Sequence, residues 1–213
     1  NIGLGSGSLG TGLTTGTDNV AIGENAMDAV TTGTDNTGVG DNAAGAVTTG
    51  ADNTAVGSGA LLTEDTGTRN TAVGSTALGT LNYDGAGYNT AVGYAAGTGI
   101  TTGILNTAVG GLALDASTIG RYNTALGYQS LSTDIDGDYS TAIGYQALTT
   151  QESDGANQAV YNTAVGASAG SGLTTGIGNT IVGALALDAT VTGDGNTAVG
   201  YSAATTMTSG TTN

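Results

Sequence analysis

Residues 36–56 read NTGVGDNAAGAVTTGADNTAV, and this stretch returns to its own beginning after 17 residues. Comparison along the whole chain finds twelve such units, with the consensus N-T-A-V-G-x-x-A-L-x-x-x-T-T-G-x-x. The units begin at Asn1, Asn19, Asn36, Asn53, Asn70, Asn89, Asn106, Asn123, Ser140, Asn162, Asn179 and Asn196. Their starts are separated by 18, 17, 17, 17, 19, 17, 17, 17, 22, 17 and 17 residues. We expect a single repeat domain over residues 1–213, with insertions near 79–88 and 149–161 and a further unit beginning at Asn213.

Each unit opens with a short pattern typical of a β-strand. The second position is β-branched, the third is Ala or Gly except at Ile181, the fourth is aliphatic and the fifth is Gly. A second strand is predicted around Ala-Leu pairs such as 60–61 and 77–78, followed by a Thr-Thr-Gly turn. Two strands and two glycine corners in 17 residues describe one coil of an all-β β-solenoid. Twelve coils would form a rod about 58 Å long.

The first and third positions of the unit suggest how the coils and chains associate. Stacked asparagines are expected to form a hydrogen-bonded ladder along the rod. The residues of this ladder are Asn19, Asn36, Asn53, Asn70, Asn89, Asn106, Asn123, Asn162, Asn179 and Asn196. The small third-position side chains are expected to face a partner backbone. The sequence therefore predicts a parallel homotrimer around an axis lined by these small residues.

Composition excludes several classes of function. The chain of 213 residues has 40 Gly and no Pro, Cys, His, Trp or Phe, so it lacks the usual neutral-pH base, thiolate nucleophile and zinc ligands. Its two basic residues against 17 acidic ones give a net charge of -15, which argues against nucleic-acid binding. No apolar run of about 18 residues is present, so membrane insertion is not expected. We expect that the protein is not an enzyme.

Two groups of residues are candidates for binding. Asp134, Asp136 and Asp138 alternate in a turn and could supply oxygen ligands to Ca²⁺. A solvated, charge-repelling surface is the favoured interpretation, because the nonapeptide calcium-roll pattern and the distal Glu of an EF-hand are missing. No other cofactor is expected. Tyrosines form a candidate contact surface, because an aromatic ring covers area at low entropic cost, but tyrosine is also common on sheet surfaces. The members of this predicted surface are Tyr83, Tyr88, Tyr94, Tyr122, Tyr128, Tyr139 and Tyr145.

The segments 123–131 (NTALGYQSL) and 140–148 (STAIGYQAL) resemble repeats of phage tail-fibre-like proteins. They are also similar to the head repeats of trimeric autotransporter adhesins, which form a left-handed β-roll with three chains side by side. The resemblance implies a trimeric β-roll in a surface fibre. The repeat here is longer than the usual adhesin repeat, and we expect the additional residues to enlarge the Thr-Thr-Gly corner.

These observations predict a structural protein: a rigid extracellular fibre or stalk segment, on a cell or virion surface, with an adhesive or spacer role. A surface glycan or protein is the expected receptor. Because the chain starts and stops in the same phase of the repeat, it is expected to be either part of a longer fibre or a subunit that stacks end to end in a filament. Ice binding has weaker support, since each strand offers one Thr. A glycan-processing solenoid also has weaker support, since only the presence of carboxylates such as Glu152 and Asp154 points to a glycosidase pair.

Overall fold

The computed structural model describes residues 1–207 and 209–210, and it is a parallel β-solenoid. Each coil contributes one three-residue strand at the second to fourth positions of the repeat. The strands are β1 (Ile2–Leu4), β2 (Val20–Ile22), β3 (Thr37–Val39), β4 (Thr54–Val56), β5 (Thr71–Val73), β6 (Thr90–Val92), β7 (Thr107–Val109), β8 (Thr124–Leu126), β9 (Thr141–Ile143), β10 (Thr163–Val165), β11 (Thr180–Val182) and β12 (Thr197–Val199). The predicted fold class is confirmed. The further unit expected at Asn213 lies outside the described residues.

Each strand pairs in parallel with the strand of the next coil, so sheet order follows chain order from β1 to β12. Equivalent repeat positions are directly paired, as in Thr54↔Thr71 and Val56↔Val73. The register survives both long coils, because Thr71 pairs with Thr90 and Thr141 with Thr163. The described part of the chain contains no helix long and apolar enough to cross a membrane.

The fifth-position glycine turns the chain sharply at the end of each strand. At Gly110, φ is +134°, and an added Cβ would lie 2.5 Å from the carbonyl oxygen of Gly127 in the next coil. A side chain is excluded there by both backbone conformation and contact with the neighbouring coil. This explains why every coil has glycine at this position.

The predicted second strand is wrong. The Ala-Leu segments are turns among the described residues, and the Leu or Met adopts a left-handed conformation, with φ of 52° at Met27 and 51° at Leu61. The turn is held by the neighbouring coil, since the backbone N–H of Met27 donates to the carbonyl oxygen of Ala43 at 3.0 Å. The Ala and Leu side chains are buried inside the coil, so these apolar residues form core without forming a strand.

The direction of the third-position side chain was also predicted wrongly. These alanines are buried inside the solenoid, in one core cluster with the Leu and Met side chains of the turns. The exceptions show that the two positions share one space: a Cβ at Gly38 would lie 2.8 Å from Cγ of Met27, and one at Gly170 would lie 2.8 Å from Cδ1 of Ile181. The third position is small because the rod is thin, and its side chains cannot line an axis between chains.

Candidate functional surface

The side chains at the second and fourth positions of the repeat, which are the first and last residues of each strand, point away from the core. Together they form a continuous face along the rod, here called the strand face. Its residues are partly exposed, in contrast to the buried third position between them. Val92 is 37% exposed and Leu126 is 44% exposed. The alternation follows from the strand period of two residues. The strand face is thus a regular array of threonine and aliphatic side chains that the single chain leaves uncovered.

The asparagine column supports this face from inside the coil. The Nδ2 group of Asn36 donates to Oδ1 of Asn19 at 3.1 Å and to the carbonyl oxygen of Gly50 at 2.8 Å. Its backbone N–H donates to the same Oδ1 of Asn19, also at 3.1 Å. The amide therefore connects the strand start of one coil to the preceding coil and to the Thr-Thr-Gly turn of its own coil. The asparagines predicted as a ladder are buried in this column.

Ser140 replaces asparagine in the ninth coil, and a residue from the insertion occupies the missing amide position. The Gln151 amide nitrogen donates to Oγ of Ser140 at 2.9 Å and to Oδ2 of Asp134 at 2.6 Å. Its Oε1 accepts from Nδ2 of Asn162 at 2.9 Å. Sequence analysis did not identify Gln151, which is fully buried. The available signal was the coincidence of an irregular first position with an insertion in the same coil.

Threonine hydroxyls at the Thr-Thr-Gly turn also bond along the rod. Oγ of Thr31 donates to the carbonyl oxygen of Thr48 at 3.1 Å, and the same contact recurs at Thr101 and Thr174. These hydroxyls are engaged within the protein. The turn is therefore a structural connection between coils.

The three candidate calcium ligands accept hydrogen bonds from the protein itself, and Ser153 donates to two of them, Asp134 and Asp136. Asp134 is buried and accepts the Gln151 amide, whereas Oδ1 of Asp138 accepts the backbone N–H of Arg121 at 2.7 Å. Asp136 accepts the hydroxyl of Ser153. Burial raises the pKa of Asp138, an effect opposed by its bond to Arg121 and by the charge of that residue. No group of three or more acidic residues is placed to hold a metal ion within residues 1–207 and 209–210. The calcium prediction therefore rests on the sequence alone.

Both insertions return to the solenoid after short excursions. Thr68 forms a parallel bridge with Ala86, and Asp138 forms one with Ala159, so the regular pairing resumes before the next strand. Each excursion lies beside an open pocket. The pocket at the first insertion has a volume of about 430 Å³, and the pocket at the second has about 240 Å³. The first is lined by Asp65, Asn82, Tyr83, Asp84 and Thr102, and the second by Ile135, Asp136, Glu152, Ser153, Asp154 and Gly155.

The predicted tyrosine surface divides into separate groups. Tyr122 and Tyr139 stack with ring centroids 4.7 Å apart, and Tyr128 and Tyr145 stack at 6.0 Å. Tyr161, which was outside the predicted surface, continues the first stack at 5.1 Å from Tyr139. We call Tyr122, Tyr139 and Tyr161 the tyrosine column.

The tyrosine column and the Tyr128–Tyr145 pair flank the strand face. The column residues directly precede the first position of the repeat, and the pair follows the corner glycine. The remaining three residues of the predicted surface lie in the fifth and sixth coils. Tyr83 packs partly against the core, Tyr94 is exposed, and the Tyr88 ring lies 5.6 Å from the Arg69 guanidinium.

Comparison with known proteins supports the architecture. The YadA head domain repeat matches the chain in two copies, over residues 124–147 and 136–153. No curated protein and no solved structure matches the chain. The chain resembles trimeric autotransporter adhesin head repeats. Its repeats and its solenoid fold fit an adhesin-like structural protein.

Proposed function

We propose that this chain is a segment of an extracellular surface fibre in which three parallel copies pack through their strand faces. The observation that carries the proposal is the uncovered strand face, which repeats in register along the whole sheet. The fibre displays an adhesive surface or holds one at a distance from the cell or virion. A glycan or protein on another surface is the receptor, and the chain has no catalytic role.

The repeat makes the strand face suitable for self-association. Each coil presents the same pair of threonine and aliphatic side chains, so a parallel copy meets equivalent residues at every level of the rod. A closed threefold arrangement covers the face on every chain, whereas open association would leave it exposed at the ends. Contiguous apolar surface of this kind is a common mark of an interaction site.

Charge distribution supports an exposed fibre. The chain carries a net charge of -15, and its acidic residues lie outside the strands. Charge of one sign keeps separate rods apart in solution and limits lateral aggregation. The strands carry no charged side chain, so repulsion between like charges opposes association through the strand face least.

The experiment is a molar-mass measurement by light scattering on the purified chain, with and without charge on the strand face. We expect a trimer for the unmodified chain and a monomer for the double variant Val92→Asp, Leu126→Asp. Ile135→Asp is the control, because it places one added charge, against two in the double variant, on an exposed apolar side chain outside the strands. This variant should remain trimeric.

A monomeric unmodified chain would overturn the trimer. Particles of indefinite length would instead favour end-to-end stacking in a filament. Dissociation by Ile135→Asp as well as by the strand-face variant would show that added charge, and not the strand face, controls association. Circular dichroism of each variant establishes that a monomer is still folded.

A further inference from the structure

The tyrosine column is the longest aromatic stack among the described residues. Tyr122 and Tyr139 have ring planes only 2° apart, and Tyr139 and Tyr161 have ring planes 20° apart. All three rings are accessible, with exposed fractions of 45%, 42% and 59% in chain order. Three successive coils therefore present phenol rings in contact with each other and with solvent.

The backbone holds these rings in one column despite the insertion between the last two. Tyr122, Tyr139 and Tyr161 all have left-handed backbone conformations, with φ of 59°, 63° and 55°, which is uncommon for a bulky residue. After the insertion, the backbone N–H of Val160 donates to the carbonyl oxygen of Asp138 at 3.0 Å, which returns Tyr161 to the level above Tyr139. Proximity of the rings is a property of the folded rod.

We propose that the tyrosine column is an oxidative cross-linking site, at which dityrosine bonds join neighbouring coils of one chain. The oxidant is a peroxide used by a haem peroxidase. Two phenols each lose one electron and one proton, and the peroxide takes up both electrons and both protons to give two waters. The two phenoxyl radicals couple through ring carbons ortho to the oxygen. Each of these carbons then loses its proton and the carbonyl oxygen of the same ring gains one, which restores two phenols joined by a carbon–carbon bond.

Stacking makes this coupling selective. Two radicals on adjacent coils are already in contact, so coupling needs no diffusional encounter. Rotation of exposed side chains is fast and brings ortho carbons of neighbouring rings together. Tyr94 and Tyr201 provide an internal comparison, since the equivalent positions of the coils beside them hold Ser75, Gly111 and Ala184. The proposal does not depend on the number of chains, because all three rings belong to one chain.

The test treats the full chain at low concentration with hydrogen peroxide and a haem peroxidase, and isolates the monomer-sized band from a denaturing gel. Cleavage before aspartate places Tyr122 in the peptide 115–133, Tyr139 in 138–153 and Tyr161 in 154–187. We expect cross-linked pairs of these peptides, lighter by two hydrogens than their sum, with fragment ions that place the bond on the column tyrosines. Dityrosine fluorescence measures the overall yield.

Tyr139→Phe keeps the central ring but removes its phenol, so we expect loss of both cross-links. The double variant Tyr128→Phe, Tyr145→Phe is the matched control and should retain them. Cross-links that persist in Tyr139→Phe, or that are spread evenly over all nine tyrosines, would overturn the proposal. Absence of the cross-links from the monomer-sized band, under conditions in which free tyrosine is dimerised, would also overturn the proposal. None of these outcomes tests the proposed trimer, because the cross-links lie within one chain.

Discussion

At the scale of single residues, the asparagine column gives the solenoid its most specific polar contacts. Oδ1 of Asn106 accepts the backbone N–H of Asn123 at 3.0 Å, and its Nδ2 donates to the carbonyl oxygen of Gly120 at 2.7 Å. Both partners are buried, so neither can turn to water if the amide is removed. Each asparagine therefore forms hydrogen bonds with backbone groups that have no partner within the strand or the turn.

We expect Asn106→Ala to destabilise the chain by about 2–6 kcal/mol, because it leaves two buried backbone groups without a partner at roughly 1–3 kcal/mol each. Asn82→Ala is the control, since the Asn82 side chain is exposed, and its effect should stay within about 0.5 kcal/mol. Urea denaturation followed by circular dichroism measures both. Equal stability of the two variants would show that the column contributes little.

The asparagine column also shows which single-residue contacts can be predicted from the sequence and which cannot. Repetition at 17 residues is sufficient to expect stacked asparagines, because identical residues at one position of a solenoid must lie above one another. The irregular Ser140 and the insertion in the same coil were a signal, but they did not identify Gln151, which is eleven residues from Ser140. Only the path of the excursion brings it back to the core.

At the scale of elements, each coil is one strand and two turns whose conformations depend on the next coil. The strand bounds were predictable, since β-branched, small and aliphatic residues alternate and a glycine follows. The Ala-Leu turn was not predictable, because leucine rarely adopts a left-handed conformation and an apolar pair also suits a strand. Because the turn was predicted as a second strand, the sequence analysis also could not show that the third position of the repeat is buried and that the second and fourth positions are exposed.

The corner glycine provides a direct test of close contact between coils. We expect Gly110→Ala to destabilise the chain by about 3 kcal/mol or more, since it combines an unfavourable φ with a clash against Gly127. Gly155→Ala is the matched control: no atom lies within 4 Å of the added Cβ, and the change should be within about 0.5 kcal/mol. Thermal unfolding compares the two. Similar midpoints would mean that the corner can open without cost.

Complementary volumes in the core provide a second test. The tenth coil has Gly170 at a position where eight of the twelve coils have Leu or Met. An added Cβ at Gly170 would lie 2.8 Å from Cδ1 of Ile181 in the next coil and 2.8 Å from Cδ2 of Leu148 in the preceding coil. We expect Ile181→Ala alone to cost about 2–4 kcal/mol through the cavity it creates, and Gly170→Leu alone to be destabilising through overpacking. The double variant restores the usual combination.

A double-mutant cycle measured by urea denaturation tests this compensation, and the double variant should be more stable than either single variant. The shared space inside the coil is the physical reason, because leucine then occupies the volume that isoleucine leaves. Additive effects of the two substitutions would show that the third position and the turn do not pack against each other.

At the scale of the whole molecule, the solenoid is linear in both structure and energetics. Every strand pairs only with the strands of adjacent coils, so each coil depends on its neighbours and not on distant parts of the chain. The same geometry aligns surface residues in columns, which explains why a sequence period also predicts surface stripes. Partner and receptor cannot be obtained from the period, because they depend on which stripe another molecule recognises.

Buried carboxyl groups make the stability of the rod depend on pH. Burial raises the pKa of Glu64 above its ordinary value of 4.5, an effect opposed by the hydrogen bond from the backbone N–H of Gly67 at 2.8 Å. Burial likewise raises the pKa of Asp138 above its ordinary value of 3.8. The folded chain therefore binds protons at these groups more tightly than the unfolded chain does. Its stability falls as the pH rises from the ordinary values through the raised ones.

We expect the urea midpoint to increase when the pH is lowered from about 7 to about 5, and the contribution of these groups to level off below their ordinary pKa values, where both states are protonated. Glu64→Gln should reduce this dependence, because a neutral amide has no proton to gain. Glu152→Gln removes the same charge from an exposed side chain and should retain the dependence. If both variants lose it equally, relief of the net charge of -15 is the cause instead of burial at Glu64.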